Sequence, residues 1–223
     1  MFRRLGLCLG VLWKMTKVSW QVVYGVWRLS KIKGPFVSVF GGSRLSQQSP
    51  YATQANELAQ QLVDEDISVI TGGGAGVMHA VNCGAVESSK DGGEGKSIGI
   101  GVRDLNEGRN PCVQEYFELD YFFARKWLLT RYSKTFIIFP GGFGTMDELS
   151  EVITLMQTNH MPRVPIVMIG KEYWEPFLEW VTDEALQHGL IPKEHLELFM
   201  VTDDIKEALK IVCSFCHLPV KNG

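Results

Sequence analysis

A chain of 223 residues, 45% hydrophobic and 21% charged, has the size and balance of one globular α/β domain with room for a short extension. Its net charge of -3 shows no basic bias of the kind that marks a nucleic-acid surface. The five cysteines, Cys8, Cys83, Cys112, Cys213 and Cys216, are odd in number and show no paired framework, so a reducing, cytoplasmic setting is expected.

The N-terminus, "MFRRLGLCLGVLWKMTKVSWQVVYGVWRL", imitates a signal peptide until Lys14 and Lys17 break its apolar run. No small-residue cleavage site follows, and the uncharged run is too short to span a bilayer. Val11, Met15, Val18, Val22 and Val26 recur at spacings near three and four, which predicts one or two amphipathic helices. These are expected to cover a subunit or partner surface, with no firm membrane association. A boundary near Gly34-Pro35 separates an amphipathic extension (1–34) from a domain over 35–223.

Beyond it, strands and helices alternate. Strands are predicted at 36–42, 67–71, 96–102, 116–121, 135–139, 165–170 and 196–203. Helices are predicted at 49–66, with Ser49 as cap and Pro50 in the first turn, then 77–88, 122–134, 147–160, 173–189 and 203–216. Pro176 belongs in the first turn of its helix. The pattern defines the fold class: α/β, a Rossmann-like doubly wound parallel sheet, a single domain with an N-terminal helical extension. Cys213-Ser-Phe-Cys216-His217 matches the CxxCH haem-attachment pattern, but it ends an amphipathic stretch where cysteine serves as a small apolar residue.

Several strands end in glycine, where open α/β sheets bind their ligands. "TGGGAGVMHA" (71–80) and "PGGFGTMDEL" (140–149) each run from a strand through glycines toward a helix. Glycine there lets a phosphate reach backbone N–H groups at a helix N-terminus. Neither loop fits GxGxxG, and "GEGKS" (93–97) lacks the first glycine and the following helix of a P-loop. Thr145 and Glu148 also fit a capping box, and Asp147 fits the favourable charge of a first helical turn. Two acids beside a phosphate site make electrostatic sense if they face developing positive charge. Arg125 and Lys126, at the start of the preceding helix, belong at the same sheet edge. His79 reads as helix packing, and the histidines show no ligand spacing.

"ARKWLLTRYSKTFIIFPGGFGTMDELSEVIT" resembles the Lonely guy phosphoribohydrolases, with their Arg-Lys and PGGxGTxxE motifs, and "TGGGAGVMHA" resembles their earlier glycine loop. The resemblance covers roughly residues 36–190. It implies hydrolysis of the N-glycosidic bond of a small-molecule nucleoside 5′-monophosphate, a cytokinin riboside monophosphate or AMP. It assigns catalysis to Arg125 and Glu148. It assigns substrate binding to Gly73, Gly74, Met78, Lys126, Gly141, Gly142, Phe143, Gly144, Thr145, Met146, Asp147 and Thr154, with Ser43 a weaker phosphate contact. It implies no cofactor and no metal, and a homo-oligomer whose pocket draws on two subunits. A non-catalytic nucleotide or molybdenum-cofactor carrier of the same fold is the alternative.

Overall fold

The computed structural model describes residues 2–89, 93–103 and 110–216. A long helix α1 (Phe2–Leu29) leads into β1 (Phe36–Phe40), α2 (Pro50–Asp64), β2 (Ser68–Thr71), α3 (Val77–Glu87), β3 (Ser97–Val102) and β4 (Glu115–Leu119). Then come α4 (Phe122–Arg131), β5 (Ser133–Ile138), α5 (Phe143–Gln157), β6 (Ile166–Ile169), α6 (Lys171–Glu179), β7 (Phe199–Thr202) and α7 (Ile205–Cys216). All seven strands form one sheet in the order β4-β3-β2-β1-β5-β6-β7, and every pairing is parallel. The doubly wound expectation holds.

Alternation along each strand feeds two cores. In β1, Val37 and Val39 face a core shared with α2, α3 and α7. Phe40 faces the opposite core, shared with α1, α4, α5 and α6. Strands buried on both faces read as continuous apolar runs, which is why these were visible in the sequence. Ser49 caps α2 as expected, its Oγ accepting from the Ala52 N–H at 3.2 Å.

The chain winds outward from β1 to β4, then returns to lay β5 on the other side of β1. The strand order therefore reverses between β1 and β5. Their carboxyl ends diverge into different loops, and this is the crevice where open α/β sheets hold ligands.

Some boundaries differ from expectation. Helix α5 begins at Phe143, four residues before the expected start, because Gly142 takes the cap position. Pro176 lies inside α6 rather than in its first turn. The helix continues from Trp180 to Leu186 in the wider π winding. The last short strand lies within 196–203 as expected, and a 3-10 turn at Lys193–Leu198 takes the first three residues of that stretch. In α7, Cys216 is buried, and burial pushes its thiol up to about 12; Cys213 is raised for the same reason. These thiols pack as apolar groups, and His217 lies outside the described residues.

The extension forms one helix. Only its second half docks. Val18 and Leu29 are buried, and Val22 and Val26 pack on the same core, but Val11 and Met15 are exposed. Lys17 pairs with Asp120 at 2.6 Å, Gln21 accepts from the Asp120 N–H, and Arg28 pairs with Glu115. The Lys17 hydrogen bond holds Asp120 below the usual carboxylate range, helped by Gln21 and by the charge of Arg103. Close approach is possible because residue 25 has no side chain. A Cβ there would sit 2.6 Å from Leu128 Cδ1 and 2.9 Å from Phe117 Cε2. Gly25→Leu is therefore expected to lower the stability to urea by about 1–3 kcal/mol through overpacking. Gly10→Leu, at a position with nothing within 4 Å, is expected to cost nothing measurable.

Candidate active site

The β1/β5 crevice opens into a cavity of about 570 Å³, inside the roughly 300–1,000 Å³ typical of small-molecule sites. Its floor is the end of β1 and the loop after it: Phe40, Gly41, Gly42 and Ser43. One wall is the start of α5; the other is the start of α4 with Gly72 and Met78.

Glycine here does two separate jobs. Gly142 and Gly144 border open space, with nothing within 4 Å of where a Cβ would project. Gly142 caps α5 with no side-chain hydrogen bond. The first turn of α5 thus lines the cavity without a capping side chain, at the positive end of the helix dipole. Gly72 has a different reason. A Cβ there would lie 1.9 Å from Arg125 Nη2, so the missing side chain is where the guanidinium packs. At Gly76, φ is +63°, and a Cβ would lie 2.1 Å from the Gly42 carbonyl oxygen. That closeness matches the bond by which the Val77 N–H donates to Gly42 at 3.1 Å, tying the second glycine loop to the first.

The acids are divided between two cations. Lys126 Nζ lies 2.5 Å from Asp147 and 3.2 Å from Glu151, which share one face of α5 as i and i+4 neighbours. Burial works against the ammonium, but the two carboxylates outweigh it and raise the Lys126 pKa. Arg125 is buried, and its Nη2 lies 3.8 Å from Glu148 Oε1. That gap exceeds a hydrogen bond. Arg125 Nε is buried without a hydrogen-bond partner. The pair faces the same cavity as the start of α5.

Of the residues assigned from the sequence, Arg125, Glu148, Lys126, Ser43, Met78, Gly142, Phe143, Gly144, Thr145 and Asp147 all line this cavity. Others do not. Gly73 accepts from the Asn110 N–H and, at φ +72°, packs its α-carbon against Tyr116 and Gly99. Gly74 is buried next to it, away from the cavity lining. Gly141 lies beneath the wall, its Cβ space filled by Thr145 and its carbonyl accepting from Tyr173 at 2.5 Å. Met146 packs on the core. Thr154 is exposed farther along α5, bonded to the Ser150 carbonyl at 2.7 Å. The capping box is absent: Thr145 is a buried residue within the first turn, and Glu148 turns toward Arg125 instead. Arg44 and Phe122 line the cavity and were missed. Arg44, a cation directly after Gly41-Gly42-Ser43, carried a signal that could have found it. Phe122 carried none.

A ligand cavity at the switch point of a doubly wound α/β sheet sets the class of protein. Comparison with known proteins then sets the family. A family model described as "Possible lysine decarboxylase" matches residues 78–212. A probable cytokinin riboside 5′-monophosphate phosphoribohydrolase of Oryza sativa subsp. japonica is 32% identical over 171 residues, covering 75% of this chain and 73% of the relative. A cytokinin riboside 5′-monophosphate phosphoribohydrolase of Arabidopsis thaliana is 30% identical over 195 residues, covering 85% and 87%. The chain belongs to this family, the Lonely guy family. Among solved structures, a molybdenum cofactor binding protein of Rippkaea orientalis aligns with TM-score 0.60 at 19% identity, over 82% of this chain and 98% of that one. The molybdenum cofactor carrier protein of Chlamydomonas reinhardtii gives 0.58 at 21%, over the same shares. These two likenesses establish the fold.

The cysteines depart from expectation. Cys83 of α3 and Cys112, 29 residues apart, form a disulfide. His79, one turn before Cys83, brings Nε2 to 3.4 Å of its sulfur. His79, Cys83 and Cys112 thus form a cluster of potential metal donors, though the disulfide occupies both thiols. No sequence spacing announced this pair, because only the packing of the 110–114 segment beside α3 brings the two together. The inference of a reducing compartment from unpaired cysteines loses its basis. Thiol titration of the denatured, unreduced protein is expected to count three thiols, Cys8, Cys213 and Cys216. A count of five contradicts the pairing. Reduction of so long a loop is expected to cost roughly 2–4 kcal/mol of stability.

Proposed function

We propose that this protein hydrolyses the N-glycosidic bond of nucleoside 5′-monophosphates, a cytokinin riboside 5′-monophosphate or AMP, to the free base and ribose 5-phosphate. The supporting observation is the pairing of buried Arg125 with half-buried Glu148, which face the same cavity as the start of α5, capped by a glycine with no side chain across it. Relatives bearing the phosphoribohydrolase name supply the substrate class.

In this reading the 5′-phosphate sits against the N–H groups of Phe143, Gly144 and Thr145, where Gly142 and Gly144 leave space. Arg44 and Ser43 reach the same anion from the β1 loop. Departure of the base leaves oxocarbenium character on the ribose. Glu148 faces that charge, stabilises it, and orients or deprotonates the attacking water. Arg125 is a poor proton donor and serves to orient Glu148 and a ribose hydroxyl across the 3.8 Å gap. Lys126 takes up the charge of Asp147 and Glu151, so the acids near the phosphate do not repel it. The reading includes a homo-oligomer. Phe143 is 97% exposed at the cavity mouth and Thr154 lies on the outer face of α5, where a second copy would meet them.

A lysine decarboxylase reading fits the site less well. Schiff-base chemistry favours a lysine whose pKa is depressed. Lys126, which lines the cavity, is shifted the other way by its two carboxylates. The carrier reading rests on fold likeness, and a carrier has no need of a carboxylate opposite a buried arginine.

Purified protein incubated with AMP or isopentenyladenosine monophosphate is expected to release free base, detected by chromatography. No base from either substrate favours the carrier. Glu148→Gln is expected to lower kcat by roughly 10²- to 10⁴-fold while AMP still binds; an unchanged rate removes Glu148 from the mechanism. Gly144→Val fills the space left for the phosphate, and is expected to raise KM for AMP about tenfold or more with unchanged thermal stability.

A further inference from the structure

Helix α1 has two apolar faces, and the domain uses one. Val18, Val22, Gly25 and Leu29 take the docked face. Trp13, Trp20 and Trp27 stand on the opposite side, spaced by seven and so nearly aligned on a helix of 3.6 residues per turn. They are 74%, 73% and 51% exposed. Leu9 and Val23, at intermediate spacings of three and four, are also exposed and extend the stripe. An apolar stripe of this length on the outside of a docked helix is costly in water and calls for an occupant.

Charge selects that occupant. The first 33 residues hold seven Lys and Arg and no Asp or Glu, in a chain whose net charge is -3. Lys14, Lys17 and Arg28 flank the stripe on one side, Lys17 and Arg28 being also held by Asp120 and Glu115 of the domain. At its C-terminal end, Tyr24 and Trp27 enter a groove of about 740 Å³ that also holds Arg28, Lys31, Lys33 and Lys96, against the acids Glu94 and Glu115. Lys31 Nζ lies over the Trp27 ring at 3.4 Å. A second α1 laid on the stripe would bring cation against cation, since α1 contains no acid. An anionic lipid surface matches both properties: tryptophans settle at the headgroup boundary and lysines meet lipid phosphates. No described helix is long and apolar enough to cross a membrane, so the mode is peripheral.

We propose that the outward tryptophan stripe of α1, with its basic flank, docks the protein on anionic lipid bilayers. This revises the expectation that the extension makes no firm membrane contact, and it stands apart from the proposed hydrolysis.

The test is co-sedimentation of the full chain with phosphatidylcholine vesicles, with and without about 30% phosphatidylserine. Binding is expected only with the anionic lipid, and is expected to weaken about tenfold or more when NaCl rises from about 0.1 M to about 0.5 M. The double variant Trp13→Ser/Trp20→Ser changes two exposed residues, and its circular dichroism and urea midpoint are expected to match the parent. It is expected to lose vesicle binding by about tenfold or more. Three results overturn the proposal: no binding to anionic vesicles, binding that the folded double variant retains in full, or self-association without vesicle binding that the double variant abolishes. The last makes the stripe a contact between copies of this chain.

Discussion

Everything at the candidate site depends on side chains being missing where β1 and β5 part. Two parallel strands that send their chains in opposite directions leave a crevice, and backbone lines it. Gly142 and Gly144 leave the first turn of α5 open to the cavity, and Gly72 vacates the volume that the Arg125 guanidinium occupies. A methyl group would project into the cavity at Gly142 or Gly144, and would displace the arginine at Gly72. Missing side chains at the end of a buried strand thus leave a helix start open beside the Arg125–Glu148 ion pair.

The second requirement is the division of charge on α5. Three acids within five positions would oppose an anion at the same helix start. Lys126 holds Asp147 and Glu151 on one face, and the helical turn points Glu148 at Arg125 on another. Asp147 and Glu148 both line the cavity, but only Asp147 is held by Lys126, while Glu148 faces Arg125. Helix periodicity and the antiparallel run of α4 against β5 produce this separation, so the pairing of the charges follows from the fold.

The strands were legible because burial on both faces leaves mostly apolar residues in them, as in "TFIIF" and "IVMI". The Arg125–Glu148 meeting was legible because helices in such folds start at the ligand edge. Local pattern failed where tertiary contacts decide. Thr145 looked like a cap, but Gly142 takes that position and Thr145 instead fills the space over Gly141. Gly73 looked like a phosphate contact, but its positive φ serves packing against Gly99 and Tyr116. Thr154 and Met146 share the motif's helix yet point away from the cavity. The Cys83–Cys112 pair joins segments whose proximity no spacing rule encodes. On α1, the valine spacing marked the docked face from Val18 onward, whereas Val11 and Met15 of the same series are exposed.

The most direct measurement is a crystal structure of the Glu148→Gln protein with AMP bound. Phosphate oxygens within hydrogen-bond distance of the Gly144 and Thr145 amides are expected, with the anomeric carbon facing residue 148 and Arg125 on a ribose hydroxyl. A nucleotide bound in reverse, with its base against α5, or phosphate held elsewhere with residue 148 far from the ribose, would contradict the proposed site.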